Sequence, residues 1–230
     1  MSRPEAVDAL RTRQGEQAIA MLQVQDDGQD RPLVLIVDDD SGMRDAVGEL
    51  MLSIGMDAAG YASTRELLAK DFPDRPGCLL LDVRMPGISG LDLQKQLNAR
   101  GVSKPIIFLT AYADVPMTVE AMKGGAVDFF TKPFRDQALL DAVGRAIQLD
   151  LQQREANAEA RRNMELFATL TPREKQVLRQ VAEGKLNKQI AYHLDISEVT
   201  VKLHRGNVMR KMQARSIGEL MKAWSTLRQV

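Results

Sequence analysis

Four apolar runs in this chain each end on a side chain that can handle metal or phosphate. Leu33-Val34-Leu35-Ile36-Val37 precede Asp38-Asp39-Asp40, Cys78-Leu79-Leu80-Leu81 precede Asp82, Ile106-Ile107-Phe108-Leu109 precede Thr110, and Val127-Asp128-Phe129-Phe130 precede Thr131-Lys132-Pro133. Runs of that length, alternating with amphipathic segments, predict buried strands of a parallel sheet, whose two faces are both covered. Ligands of such a sheet bind at the carboxyl ends of its strands, so the four polar clusters are expected on one rim. Three acids, a hydroxyl and an ammonium on one rim suit a magnesium ion and a phosphoryl group.

The intervening segments carry helical periodicity. Met43, Val47, Leu50, Met51 and Ile54 repeat at three and four and stop near Gly55, and Ser63-Thr64-Arg65-Glu66 has capping-box spacing. Leu91, Leu93 and Leu97 mark a third helix, and Asp114-Val115-Pro116 opens a fourth that ends at Gly124-Gly125. A fifth begins near Arg135 and includes Leu139, Leu140, Val143 and Ile147. The pattern predicts a doubly wound α/β domain over residues 32–148. Residues 149–166 are rich in Ala, Glu, Gln and Arg without Gly or Pro, which predicts a semi-rigid helical linker continuing that last helix.

From residue 167 to 230 the pattern is wholly helical. Thr171-Pro172-Arg173-Glu174 combines a capping box with proline at the first helical position, and Gly184 ends the helix. A short helix from Asn187 precedes Asp195-Ile196, Ser197 opens a longer one to about Met212, and Ser216 caps a last one. A short helix, a tight turn and a longer helix predict a helix-turn-helix. In the longer helix Val201, Val208 and Met212 share the packed face, while Val199, Lys202, Leu203, Gly206 and Arg210 lie opposite. With Thr200, Arg205 and Asn207 from the same helix, and Lys188 from the one before, these are the candidate DNA contacts. Lys202 can reach a guanine edge or a phosphate, Val199 and Leu203 thymine methyls, and Lys188 a phosphate. Arg205 lies nearer the packed face, with His204 beside it.

The balanced total of 31 basic and 31 acidic residues hides an asymmetry. Residues 32–150 hold 12 Lys and Arg against 17 Asp and Glu, whereas residues 151–230 hold 15 against 8. The last third is therefore expected to meet a polyanion. Residues 1–31 are polar and predict a mostly disordered extension, with Met21 as an alternative start. No membrane span or secretory leader is visible, and the single Cys78 falls inside a strand, so a cytoplasmic chain is expected.

The order and spacing of Asp38-Asp39, Asp82, Thr110 and Lys132-Pro133 resemble the receiver domain of bacterial two-component response regulators. Residues 114–129 resemble its FixJ subgroup, and Thr171-Pro172-Arg173-Glu174, Asn187-Lys188-Gln189-Ile190-Ala191 and Thr200-Val201-Lys202-Leu203-His204 resemble the LuxR/NarL-type helix-turn-helix. The resemblance implies a flavodoxin-like sheet order of 2-1-3-4-5 and Asp82 as phosphoacceptor for a sensor histidine kinase. It implies Mg2+ on Asp38, Asp39, Asp82 and the backbone carbonyl of Arg84. It also implies Lys132 on the phosphoryl group, a cis Lys132–Pro133 bond, and Thr110 and Phe129 as the switch pair. Promoter DNA, a homodimer on phosphorylation through the fourth helix and fifth strand, and RNA polymerase are the implied partners. Ile217, Leu220, Met221, Trp224 and Leu227 at helical spacing on the last helix read first as core, while the resemblance implies a helix used to dimerise, with Trp224 an anchor. Gly206 departs from the larger polar residue often found there and removes a contact.

Other readings stay open on the residues alone. Asp38-Asp39-Asp40 serves equally well as a helix cap. The site chemistry also suits a magnesium-dependent phosphatase with an aspartyl nucleophile, which would turn over phosphomonoesters. A signalling adaptor whose helical domain binds protein would show partner binding independent of salt.

Overall fold

The computed structural model of the chain describes residues 31–70 and 73–227, so the polar stretch 1–30 lies outside the described residues. The chain divides into two compact units, one up to Gln153 and one from Arg154.

In the first unit five strands, β1 (Leu33–Val37), β2 (Asp57–Tyr61), β3 (Gly77–Asp82), β4 (Ile106–Thr110) and β5 (Asp128–Thr131), form one parallel sheet in the order β2-β1-β3-β4-β5. This is the flavodoxin-like order. The runs in β1, β3 and β4 are continuous because helices cover both sheet faces. Leu35, Val37, Leu79, Leu81 and Phe108 point to one side, with α2 (Thr64–Leu68), α3 (Gly90–Ala99) and α4 (Val115–Lys123). Val34, Ile36, Leu80, Ile107 and Leu109 point to the other, where α1 (Ser41–Ser53) supplies Val47 and Met51 and α5 (Asp136–Ala168) supplies Leu139, Val143 and Ile147. Each such side chain, fully buried, contributes about 1.5–3 kcal/mol of transfer free energy. Cys78 is one of them, and burial pushes its thiol up to about 12.

The caps follow the sequence with one difference. Ser63 Oγ accepts the amide of Glu66 at 3.2 Å, but the Glu66 carboxylate returns to the amide of Ala62 at 2.8 Å, one residue before the cap. Asp114 caps α4 by accepting from the Met117 amide at 2.7 Å.

Residues 149–166 are helical throughout, as part of α5. Their second half is more than a spacer, because it belongs to the second unit. Asn163 is buried and donates to Thr226 Oγ1 at 2.9 Å, and Phe167 lies 6.0 Å from the Trp224 ring. Trp224 thus packs half-buried inside its own unit, as the core reading of its helical stripe expects. The remaining helices are α6 (Pro172–Ala182), α7 (Asn187–Leu194), α8 (Glu198–Lys211) and α9 (Ile217–Leu227). Val177, Leu178, Ile190, Val201 and Val208 form their core. Asp195 makes the tight turn between α7 and α8 at φ 53°, a left-handed conformation its short side chain tolerates.

Glu174 closes the α6 capping box and pairs with Lys211 Nζ at 2.6 Å. Burial disfavours its charge, but Lys211 and the Thr171 contacts outweigh that and hold the carboxyl below its usual range. A depressed carboxyl contributes stability that is fully present above its unfolded value, about 4.3, and is lost as pH falls through the folded value. Glu174→Gln is therefore expected to cost the second unit about 1.5–3 kcal/mol at neutral pH. The deficit should shrink on acidification below about pH 4. Fluorescence of Trp224, the single tryptophan, reports the transition. An unchanged melting temperature at neutral pH would refute the assignment.

Candidate functional site

The β1–α1 loop divides the acidic triplet. Asp40 caps α1, accepting the amides of Gly42 at 2.9 Å and Met43 at 3.3 Å. Asp38 and Asp39 are left for the rim. Asp38 is buried, and its amide donates to the carbonyl of Tyr61 at 3.1 Å. The cap reading and the metal reading of the triplet therefore fall on different residues.

Asp82 ends β3 and is buried, with Oδ1 accepting the Arg84 amide at 3.0 Å. Gly90, the first residue of α3, comes so close that a Cβ there would fall 2.2 Å from the carbonyl oxygen of Asp82. Only glycine lets the loop after β3 fold back in this way. Oxygens of Asp38, Asp39 and Asp82 lie within 4.8 Å of one another. Lys132 Nζ bridges two of them, 2.5 Å from Asp38 Oδ2 and 2.9 Å from Asp82 Oδ2. Burial raises the Asp38 carboxyl above its ordinary range, and the Lys132 contact only partly offsets this. For Lys132 burial lowers the value, but the two carboxylates more than compensate and hold the ammonium protonated. The Lys132–Pro133 peptide is cis.

Thr110 is fully buried at the end of β4, with the Tyr112 amide 3.4 Å from its hydroxyl and the Lys132 amide 2.7 Å from its carbonyl. Phe129 pairs with Phe108 across β4 and β5, is half-buried, and has its ring 6.0 Å from that of Phe108. The guanidinium of Arg84 lies over the Tyr112 ring at 5.2 Å. The structure brings Asp38, Asp39, Asp82, Thr110 and Lys132 to one rim. Sequence reasoning missed Gly90 and also Arg44, whose Nη1 donates to the carbonyl of Asp38 at 2.7 Å. The arginine four residues into the helix after the triplet was the available signal.

In the second unit α8 presents Val199, Lys202, Leu203, Gly206 and Arg210 to solvent and buries Val201, Val208 and Met212. Lys188 is exposed on α7. Thr200, Arg205 and Asn207 are half-buried instead. Thr200 is occupied with the cap, 2.8 Å from Ser197 Oγ, and Arg205 Nη1 donates to Asn187 Oδ1 at 2.6 Å. Arg205 thus ties α8 to α7 and is not displayed on the outer face. His204 is half-buried, with Nδ1 enclosed and unpartnered among the described residues.

A doubly wound sheet with acids, a hydroxyl and a lysine on its carboxyl rim, followed by a helix-turn-helix, defines a receiver joined to a DNA-binding module. Residues 34–144 match the response regulator receiver domain, and residues 168–223 match the bacterial regulatory proteins of the luxR family. The chain is 49% identical over 197 residues to nodulation protein W of Bradyrhizobium diazoefficiens, covering 86% of this chain and 87% of that one. It is 44% identical over 193 residues to the transcriptional regulatory protein FixJ of Azorhizobium caulinodans, covering 82% and 90%. Among solved structures, that of the response regulator StyR matches with a TM-score of 0.74 and 45% identity, over 85% of this chain and 98% of StyR. Full-length FixJ from B. japonicum matches with a TM-score of 0.51 and 36% identity, over 87% and 99%. The chain belongs to the two-component response regulators of the FixJ/NarL type, transcriptional regulators with a LuxR-type helix-turn-helix. Among the described residues no helix is long and apolar enough to cross a membrane.

Proposed function

We propose that Asp82 accepts a phosphoryl group from the phosphohistidine of a sensor histidine kinase, and that this controls binding of α7 and α8 to promoter DNA in the cytoplasm. The observation that carries the reading is the gathering of three carboxylates, Lys132 and Thr110 on one rim. The Asp82 oxygen forms the new O–P bond as the N–P bond breaks, and the electron pair leaves with the imidazole nitrogen. Residues 32–148 act as phosphoacceptor and residues 167–230 as the DNA-binding domain.

The donor set fits magnesium. Hard carboxylate oxygens gathered within 4.8 Å suit an octahedral ion, whose ligands sit about 3–4 Å apart. Asp38, Asp39 and Asp82 would hold it with the backbone carbonyl of Arg84. Bound there, it offsets repulsion between the carboxylates and the phosphoryl oxygens. Lys132 then exchanges Asp38 for a phosphoryl oxygen. The Thr110 hydroxyl turns from the Tyr112 amide toward the same group, and Phe129 follows it inward. The phosphatase reading wants a nucleophile and a general acid two residues apart on the first strand, Asp38 and Asp40 here, and it is disfavoured because the Asp40 carboxylate is held by the amides of α1.

Receivers pair through α4 and β5 in this reading, where Val115, Val119 and Met122 stand exposed at helical spacing. RNA polymerase is the partner of the assembled dimer at the promoter. The test is affinity of the full-length chain for duplexes it selects from a random pool, with and without a small phosphodonor and magnesium. Affinity is expected to rise with the phosphodonor, and an unchanged value sinks the control mechanism.

Lys188→Ala is expected to weaken binding to all duplexes similarly, since it meets a phosphate. Lys202→Ala should cost about 1–3 kcal/mol on the selected sequence and relax preference at one base pair. Equal losses on selected and random duplexes for both variants would defeat this division of roles.

A further inference from the structure

We propose that Arg44 is the positioning residue that sets the divalent-cation affinity of the acidic rim, a role that rests on the magnesium reading above. Helical side chains tilt toward the helix N-terminus, so a long one in the first turn reaches back over the incoming chain. Arg44 does so. Its Nη1 donates to the carbonyl oxygen of Asp38 at 2.7 Å, while its amide donates to the carbonyl of Asp40 at 3.1 Å. The Asp38 amide is meanwhile held by the carbonyl of Tyr61. The peptide groups on both sides of Asp38 are therefore fixed, and with the Asp40 amide on Oδ1 at 3.1 Å they set the direction of its buried carboxylate.

The arginine touches the backbone of Asp38, where Lys132 touches the carboxylate. Lys132 must yield those oxygens to an incoming ion, and Arg44 need not move. A partner behind a ligand that orients it without occupying its donor atoms is what tunes a metal site from outside.

A second observation comes from β2. Gly60 lies on this edge strand opposite Ile36 and is exposed. A strand surface there favours a β-branched residue, and a glycine in a strand marks the close approach of another group. That group is Arg44, since a Cβ at position 60 would lie 3.4 Å from its Cδ and 3.7 Å from its Cβ. Alanine would just touch the arginine. A branched side chain would crowd it off its path to Asp38.

Magnesium titration of the unphosphorylated full-length chain by calorimetry tests the role, with thermal melting in parallel. Arg44→Ala is expected to weaken magnesium about tenfold, the scale found for partners that orient a ligand. Arg44→Lys should recover part of the loss, because a lysine can still donate to the carbonyl. Gly60→Val should weaken magnesium in the same direction while the melting temperature holds or rises, which a merely structural role would not produce. Labelling of Asp82 in Arg44→Ala should be slow at low magnesium and recover at saturation. Magnesium affinity equal to wild type in Arg44→Ala or in Gly60→Val overturns the proposal. A wild-type chain that binds no magnesium overturns instead the reading on which it rests.

Discussion

Asp82→Asn is expected to abolish uptake of a phosphoryl group from a small phosphodonor while the receiver stays folded. The amide has the size of the carboxylate, and its oxygen can still accept the Arg84 amide that holds Oδ1 at 3.0 Å. What it lacks is the charge and the nucleophilic lone pair. Loss of a nucleophile lowers rates by about 10³ or more, which takes labelling below detection. Of the neighbouring acids, Asp39 would be committed to the magnesium ion. Asp38 is tied to Lys132 at 2.5 Å, and Asp40 is spent on α1. Mass spectrometry of the intact chain and of its peptides reads the result. A full phosphoryl increment on the variant, or an acyl phosphate mapped to Asp38 or Asp39 in wild type, would sink the assignment.

The phosphorylated chain is expected to be a dimer by light scattering, and Val119→Asp to keep it monomeric. Val115 is 77% exposed, Val119 44% and Met122 45%, and their spacing of four and three places them in one stripe along α4. An aspartate in the middle of a buried apolar stripe leaves a charge without a partner, which is among the costliest changes at an interface. Two linked reading helices gain about 10²–10⁴ in avidity on paired half-sites about one helical turn apart. Val119→Asp should forfeit that gain on a two-site duplex and leave binding to a single half-site unchanged. A variant that still dimerises when phosphorylated would move the contact off α4.

Much of this was legible in the sequence because three of the first unit's strands, β1, β3 and β4, are buried on both faces. Continuous apolar runs such as Leu33–Val37 and Ile106–Thr110 cannot be explained by a one-sided sheet, and their polar ends mark the rim directly. The roles within a polar cluster were less visible. Which of three adjacent aspartates caps the helix depends on the φ and ψ of the loop, and only the structure gives Asp40 to α1. Arg205 shows the same limit from another side. A helical wheel places it near the packed face, but whether it reads DNA or ties α8 to α7 depends on Asn187, 18 residues earlier in the chain. The linker is helical as its composition suggests, and only a tertiary partner singles out Asn163, which is buried and donates to Thr226 on α9, far along the sequence. Local pattern fixes periodicity, whereas tertiary partners decide what a polar side chain does.

The internal use of cations in the second unit bears on how that unit should respond to ionic strength. Of the basic residues on α7 and α8, Arg205 is bonded to Asn187 and Lys211 to Glu174, while Lys188, Lys202 and Arg210 are exposed and make no ion pair among the described residues. Only cations that displace counterions from the phosphates enter the salt dependence, each adding about 0.9 to the slope of log affinity against log salt. With all three cations near phosphates a protomer reading one half-site should follow a slope of about −2.7 and a paired assembly about −5.4, each less steep by about 0.9 per protomer where Lys202 lies on a base edge. The excess of 15 basic over 8 acidic residues in residues 151–230 would suggest a far steeper law for each protomer. Part of that charge is spent inside the unit, as at Arg205 and Lys211, and the grip on DNA should survive moderate salt better than the composition implies.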